Sequence, residues 1–251
     1  MQDNFFNKSI IIDVLVRPNK NSKVSSQIIY GEKFKVLSEK KNFYKIKNFY
    51  DNYIGFISKK TNLNKKFKPT HKIKTLKSQI YFGAGKKKKI LSNQFLPFGC
   101  KLQIIKKNKR FIMFEKNRWI KSNNACLISN KEKDFVKIFK LFINCPYKWG
   151  GKTFEGIDCS ALVQIYYKYN NIFFPRDTVD QINQKKGFNY KKKFKKGDII
   201  FWKGHIAVCI NSQDLIHAYG PSKKVVVMPI QKTIKRIEST AKLKVKKVFK
   251  I

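Results

Sequence analysis

The spacing of apolar residues changes character once along the chain, between Ser129 and Asp134, and this change limits the folds open to it. Before it, apolar residues come in short alternating runs at Ile10–Val16, Ile28–Tyr30, Phe34–Leu37, Phe43–Ile46 and Tyr53–Ile57. Turn-rich stretches at Pro18–Ser22, Gly31–Lys33 and Asn48–Asn52 separate them. Alternation puts every second side chain on one face of a strand, so this stretch reads as a small β-barrel. A second set, Ile73–Leu76, Ile80–Phe82, Leu102–Ile105, Arg110–Phe114 and Arg118–Ile120, repeats the rhythm beyond a polar, basic link at Asn62–Thr70. The first half is therefore expected to hold two tandem β domains, 1–65 and 66–128.

From Phe135 the period lengthens. Phe135, Ile138, Phe139 and Phe142 form an i, i+3, i+4, i+7 stripe, the mark of an amphipathic helix, which must end before Pro146. A second stripe at Leu162, Val163, Tyr166 and Tyr167 starts just behind Asp158, a good N-cap residue, so Cys159 is expected at a helix N-terminus. Strands are expected again at Asp198–Trp202, His205–Ile210, Leu215–Ala218 and Val225–Met228. Helices first and sheet after make 129–251 an α+β domain.

Composition narrows the class. With 42% hydrophobic residues, 22 of them Phe, the chain has material for buried cores despite its charge. The balance of 56 Lys+Arg against 15 Asp+Glu gives a net charge of +41, a field that would attract polyanions. The excess is nearly all Lys, in company with abundant Asn, Ile and Phe, as an AT-rich coding sequence produces whatever the function. No regular arrangement of Arg forks and aromatic platforms accompanies it, so no specific nucleic-acid partner is expected. The runs Lys86–Lys89 and Lys191–Lys196 fall in predicted loops and are given no chemistry.

Five cysteines, Cys100, Cys126, Cys145, Cys159 and Cys209, are widely spaced and form no CxxC pair, which points to a reduced compartment. Met1 to Arg17 carries Asp3 and Asp13 and lacks the basic start, apolar run and cleavage site of a signal segment. No stretch of about 18 apolar residues could span a bilayer. A cytoplasmic location is expected, with export by another route as the alternative.

A thiol attacks as thiolate, and a helix N-terminus stabilises the thiolate through its unpaired N–H groups. Cys159 has that placement and the other four cysteines do not. A cysteine nucleophile also needs a base that can protonate a leaving amine, a role suited to histidine. His71 reads as a solvated loop residue. His205 and His217 lie on consecutive predicted strands and can share a face, giving a Cys–His–His series in which His217 orients His205.

These residues resemble the NlpC/P60 cysteine peptidases of bacterial cell walls. The resemblance rests on Pro146-Tyr147-Lys148-Trp149-Gly150-Gly151, on Gly156-Ile157-Asp158-Cys159-Ser160-Ala161-Leu162-Val163-Gln164, and on Phe174-Pro175-Arg176-Asp177 with Gln181. It continues in Gly197-Asp198-Ile199-Ile200-Phe201-Trp202, His205-Ile206-Ala207-Val208 and the strand of His217, covering about Ser129 to Met228. Ala161 stands where the family usually has glycine, a change a helical first turn tolerates. The resemblance implies a papain-like fold with catalytic Cys159, His205 and His217. It also implies Tyr147 beside the thiolate as an oxyanion donor, and Asp158 and Ser160 as contacts to the substrate's amine and backbone. Asp158 has, besides, the ordinary role of N-cap.

The first half is similar to the bacterial SH3-type domains that precede this catalytic domain in a subgroup of the family, through Leu15-Val16-Arg17-Pro18, Gly31-Glu32 and Asp51-Asn52-Tyr53-Ile54-Gly55-Phe56-Ile57. In that subgroup the first such domain meets the free amine of the substrate, and Glu32 and Tyr53 are the candidates here. Each also reads as an ordinary residue, a solvent-facing turn carboxylate and a core aromatic. The activity implied is hydrolysis of the γ-D-glutamyl–diamino acid bond in peptidoglycan-derived peptides, with no metal or organic cofactor. An acyltransferase on the same scaffold, or an idle domain binding wall or nucleic acid through its charge, are the alternatives.

Overall fold

The computed structural model describes residues 4–83, 89–188 and 193–251, so Lys86–Lys88, Lys191 and Lys192 of the two lysine runs lie outside the described residues, as does Asp3. Contacts divide the chain into two compact units, Met1–Lys131 and Glu132–Ile251.

The first unit is almost entirely antiparallel strand. Seven strands between Asn4 and Asn64 form one sheet in the order Val24–Ile29, Ile11–Leu15, Ile54–Ser58, Phe43–Asn48, Lys33–Lys40, Asn4–Asn7, Leu63–Asn64. The alternation read from sequence is real: along Ile11–Leu15, Ile12 and Val14 turn inward and meet Ile28, Phe34, Ile46 and Ile57 in one core. Strands from His71 to Leu127 make a five-stranded and a three-stranded sheet around Ile73, Ile80, Leu96, Leu102, Ile112, Phe114 and Ile120. Lys89, read as loop, instead opens the strand Lys89–Pro97.

Tyr30 joins the two lobes. It is fully buried within the second core, together with Ile29, although both belong to the first lobe's chain segment. Its ring meets Phe114 edge-on at 5.5 Å and its hydroxyl donates to Glu115 at 2.8 Å. Lys8 and Arg118 pair with the same carboxylate, each at 2.6 Å. Next to it Gly31 adopts φ +79°, and a Cβ there would come within 2.1 Å of the Lys101 carbonyl, so only glycine lets the two backbones approach.

The second unit begins with helix α1, Phe135–Leu141, capped by Asp134, whose carboxylate accepts from the Val136 N–H. Its buried face is Phe135, Ile138 and Phe139, with Phe142 just beyond, the four residues of the expected stripe. Helix α2 runs Cys159–Tyr169 and a single turn, α3, covers Thr178–Gln181. The sheet is antiparallel, in the order Lys224–Pro229, Asp214–Tyr219, His205–Cys209, Asp198–Trp202, Lys247–Lys250. Besides α3 and the short paired strands Lys152–Thr153 and Gly156–Ile157, two further elements were not anticipated from sequence. One is helix α4, Ile230–Ala241, which packs Ile230, Ile234 and Ile237 against this sheet's core; the other is the strand Lys247–Lys250. That last strand makes Asp198–Trp202 internal to the sheet, and all five of its residues are buried.

Truncating a fully buried aromatic at such a seam should be costly. Tyr30→Ala is expected to lower unfolding stability by about 3–5 kcal/mol and Tyr30→Phe by about 1 kcal/mol. Denaturant titration of both variants checks this, and equal midpoints for Tyr30→Ala and the parent chain would show that the lobes do not depend on the ring.

Candidate active site

Cys159 is the first residue of α2 and is only 6% exposed. What holds it there is its neighbour. The Asp158 Oδ1 atom accepts from the Ala161 N–H at 2.8 Å, closing the helix cap, and from the Ser160 hydroxyl at 3.0 Å. The Arg176 guanidinium adds a forked pair, Nη1 to Oδ1 at 3.0 Å and Nη2 to Oδ2 at 2.6 Å, and Nη1 also donates to Ser160 Oγ at 2.8 Å. Oδ2 takes one more donor, the Gly150 N–H at 2.9 Å, which ties the preceding loop to the start of the helix. In that loop a Cβ on Gly151 would sit 2.3 Å from the Gly156 carbonyl oxygen, so the second glycine of the Trp-Gly-Gly run serves close packing. Gln181 completes the support by donating to the carbonyls of Ser160 and Pro175.

The five donors on Asp158 equal or exceed what a carboxylate ordinarily accepts. Asp158 and Ser160 are thus engaged within the protein, and a substrate amine could reach the carboxylate only by displacing one of its donors. The sequence motif contained Arg176 and Gln181, but nothing in their spacing revealed that both brace the cysteine's helix start, one from the following loop and the other from α3.

The histidines come from the sheet. His205 opens the strand His205–Cys209 and His217 lies on Asp214–Tyr219, paired antiparallel with it. The two rings meet as expected, His205 Nε2 lying 2.9 Å from His217 Nδ1. Tyr219 stacks on His217 at 4.6 Å with an interplanar angle of 12°, and Trp202, opposite His205 on the next strand, stands 5.6 Å from the His205 ring. The Cys159 sulfur takes N–H contacts from Ile206, the residue after His205, and from Ser160, which brings the thiol to the start of the histidine strand.

Electrostatics departs from the expectation of a thiol acidified by its helix. Burial pushes the Cys159 thiol up to about 12, with the Asp158 carboxylate adding to it and the Ile206 N–H, Arg176 and the Ser160 N–H acting in the opposite direction. Burial lowers His205 to about 4, and lowers His217 too, with the His205 charge adding to the effect. At neutral pH the resting site is therefore a neutral thiol beside neutral imidazoles. Tyr147 is half-buried near the thiol; burial, then Cys159 and Asp158, raise its phenol to about 12, so it stays a hydroxyl donor. Trp149 is 68% exposed. Among the described residues no group of three or more His, Cys, Asp or Glu side chains is arranged to hold a metal ion, and all five cysteines are free thiols.

The other two candidates lie in the first unit. Glu32 is buried rather than solvent-facing, because Oε2 accepts from the Ile29 N–H at 2.7 Å and closes its own turn. Tyr53 packs half-buried against the first lobe's core, and its N–H donates to Asp51.

A cysteine at a helix start, a pair of strand-borne histidines behind it and the antiparallel sheet make up an α+β domain of papain-like fold. Residues 144–242 match the NlpC/P60 family and residues 13–61 the bacterial SH3 domain; the chain carries an NlpC/P60 domain behind an SH3-type, β-rich region. It is 28% identical over 127 residues to a γ-D-glutamyl-L-lysine dipeptidyl-peptidase of Bacillus cereus, the match taking in 45% of this chain and 38% of that protein. Dipeptidyl-peptidase 6 of Lysinibacillus sphaericus is 36% identical over 81 residues, 31% of this chain and 28% of that one. The chain thus spans less than half the length of these curated relatives. In fold it is similar to an NlpC/P60 family protein from Bacillus cereus, with TM-score 0.77 at 18% identity over 91% of this chain and 94% of that one.

Removing one partner of a buried, forked ion pair strands the other charge. Arg176→Ala is expected to cost about 3–5 kcal/mol of unfolding free energy, measurable by chemical denaturation, while Lys196→Ala, which breaks an exposed pair with Asp134, should cost under about 1 kcal/mol.

Proposed function

We propose that the chain is a cysteine peptidase that hydrolyses the γ-D-glutamyl–diamino acid bond of peptidoglycan stem peptides, acting on released peptides with an N-terminal L-Ala. The observation that carries this reading is the 2.9 Å contact between His205 and His217 beside a cysteine fixed at the start of α2. The activity named for the Bacillus cereus relative supports the choice of bond.

In the proposed reaction the Cys159 sulfur attacks the γ-carbonyl carbon as the thiol proton passes to Nδ1 of His205, the ring nitrogen that His217 does not engage. A neutral thiol and neutral imidazole exchange that proton only as the carbonyl is attacked, so little thiolate is exposed to side reactions at rest. The tetrahedral oxyanion takes hydrogen bonds from the Cys159 N–H and the Tyr147 hydroxyl. His205 then gives its proton to the nitrogen of the diamino acid, the C–N bond breaks, and a thioester remains. Water, deprotonated by His205, attacks the thioester and releases L-Ala-γ-D-Glu and the thiol. Asp158, Ser160 and Arg176 act here by fixing the sulfur and its helix. Glu32 and Tyr53 are assigned to the folding of the first lobe.

Purified protein incubated with L-Ala-γ-D-Glu-diamino acid tripeptides is expected to release L-Ala-γ-D-Glu. Cys159→Ala and His205→Ala should each lower kcat by about 10³-fold or more, and His217→Ala by about 10- to 100-fold. No release from any stem peptide, or release undiminished in Cys159→Ala, sinks the proposal.

The acid limb of kcat/KM follows the base in the free enzyme. His205 is lowered to about 4, so it remains a base as pH falls through the ordinary histidine range, and activity should persist at pH 5 and be lost around 4. A limb centred near 6.5 in a pH–rate profile would show instead that the imidazole is solvated.

A further inference from the structure

His217 faces two neighbours through its two ring nitrogens, and one of them has a fixed hydrogen-bonding role. Nδ1 lies 2.9 Å from His205 Nε2, and Nε2 lies 3.4 Å from the sulfur of Met228. A thioether carries no hydrogen and can only accept. Toward that sulfur, a neutral His217 has an attractive contact only if Nε2 bears the proton. Its Nδ1 is then a bare lone pair, so His205 must present an N–H from Nε2, which leaves the His205 Nδ1 unprotonated.

The opposite arrangement turns each step around. With the proton of His217 on Nδ1, two lone pairs would face each other at the sulfur, and His205 would carry its proton on Nδ1, where it could accept nothing from a thiol. Both imidazoles are kept neutral by burial, so what has to be set is the tautomer rather than the charge. The stacked Tyr219 fixes the plane of the His217 ring but treats its two nitrogens alike. Packing holds Met228 in place. It sits on the strand next to His217, opposite Leu215, and lies half-buried against the core that includes Leu215 and Ile230.

We propose that Met228 is a positioning residue of the catalytic site, whose sulfur selects the Nε2–H tautomer of His217 and, through it, the tautomer of His205 that can take a proton at Nδ1. This rests on the reading of His205 as the base. Its role as an acceptor aimed at the last imidazole was not legible in the sequence, where Met228 is simply the end of a run of valines.

The test uses the full chain labelled with ¹⁵N-histidine, whose three histidines are resolved by comparing His71→Gln, His205→Gln and His217→Gln spectra. Long-range ¹H–¹⁵N spectra at pH 7 distinguish a proton on Nδ1 from one on Nε2. His205 and His217 are expected to be Nε2–H in the native chain and to become tautomer mixtures in Met228→Leu, with kcat about threefold to tenfold lower and KM unchanged. Norleucine in place of all three methionines keeps the side-chain shape and should reproduce the spectral change, so loss of the sulfur is still read if Met228→Leu fails to fold. Met113→Leu, in the first unit, should change neither spectrum nor kcat. A native His217 protonated on Nδ1, or tautomers unmoved by norleucine, overturns the proposal. Tautomers that respond as expected in a chain that cleaves no stem peptide would overturn the peptidase assignment and leave the role of the sulfur standing.

Discussion

The Asp158–Arg176 pair sets the position of the cysteine on which the site is built. Both members are almost wholly removed from water, Arg176 at 2% exposure and Asp158 at 6%, and charges so placed persist only when their hydrogen-bonding capacity is filled. Filling it draws in the first turn of α2 through the Ala161 N–H, the Ser160 hydroxyl, and the glycine loop through the Gly150 N–H. The glycine loop, the first turn of α2 and the loop carrying Arg176 converge on one carboxylate, and Cys159 is the residue next to it. The placement of the sulfur is thus a by-product of satisfying an ion pair, with a precision that a loop could not supply.

The same burial that fixes the cysteine also governs its charge. Removing water from around Sγ and both imidazoles favours the uncharged form of each, and the Arg176 cation, already paired with Asp158, does not reverse this for the thiol. In the proposed reaction such a site transfers a proton when a carbonyl arrives. It depends on directional hydrogen bonds along the thiol, the two histidines and the methionine more than on a standing thiolate. That dependence is why the proton's location on a ring matters as much as the ring's presence.

Much of this was written in the apolar spacing. The stripe of Phe135, Ile138, Phe139 and Phe142 gave α1, Asp158 before the stripe of α2 gave the cysteine's place, and short apolar runs beyond Gly197 gave four strands of the sheet, two of which carry the histidines. What escaped did so for physical reasons. Helix α4 has its stripe at Ile230, Ile234 and Ile237, but begins at Pro229 with no side-chain cap and ends at Lys242 in a left-handed conformation usually held by glycine, so both boundary signals are missing. The strand Lys247–Lys250 has two apolar residues between lysines, too short for a period to be read. At Glu32 and Asp158 residue type and local spacing identified polar groups, but whether a carboxylate is open or already filled depends on donors elsewhere: the Ile29 N–H for one, Arg176 for the other.

Lys247–Lys250 also bears on how the second unit is made. It pairs with Asp198–Trp202 across a long intervening stretch that itself folds into three strands and a helix. A nascent chain that has emerged only as far as α4 therefore carries Asp198–Trp202 as a bare sheet margin, apolar beyond Asp198, the kind of surface on which strands from other molecules pair. Pairing by Lys247–Lys250 closes that margin, so this inconspicuous strand covers a backbone edge that the rest of the unit leaves open.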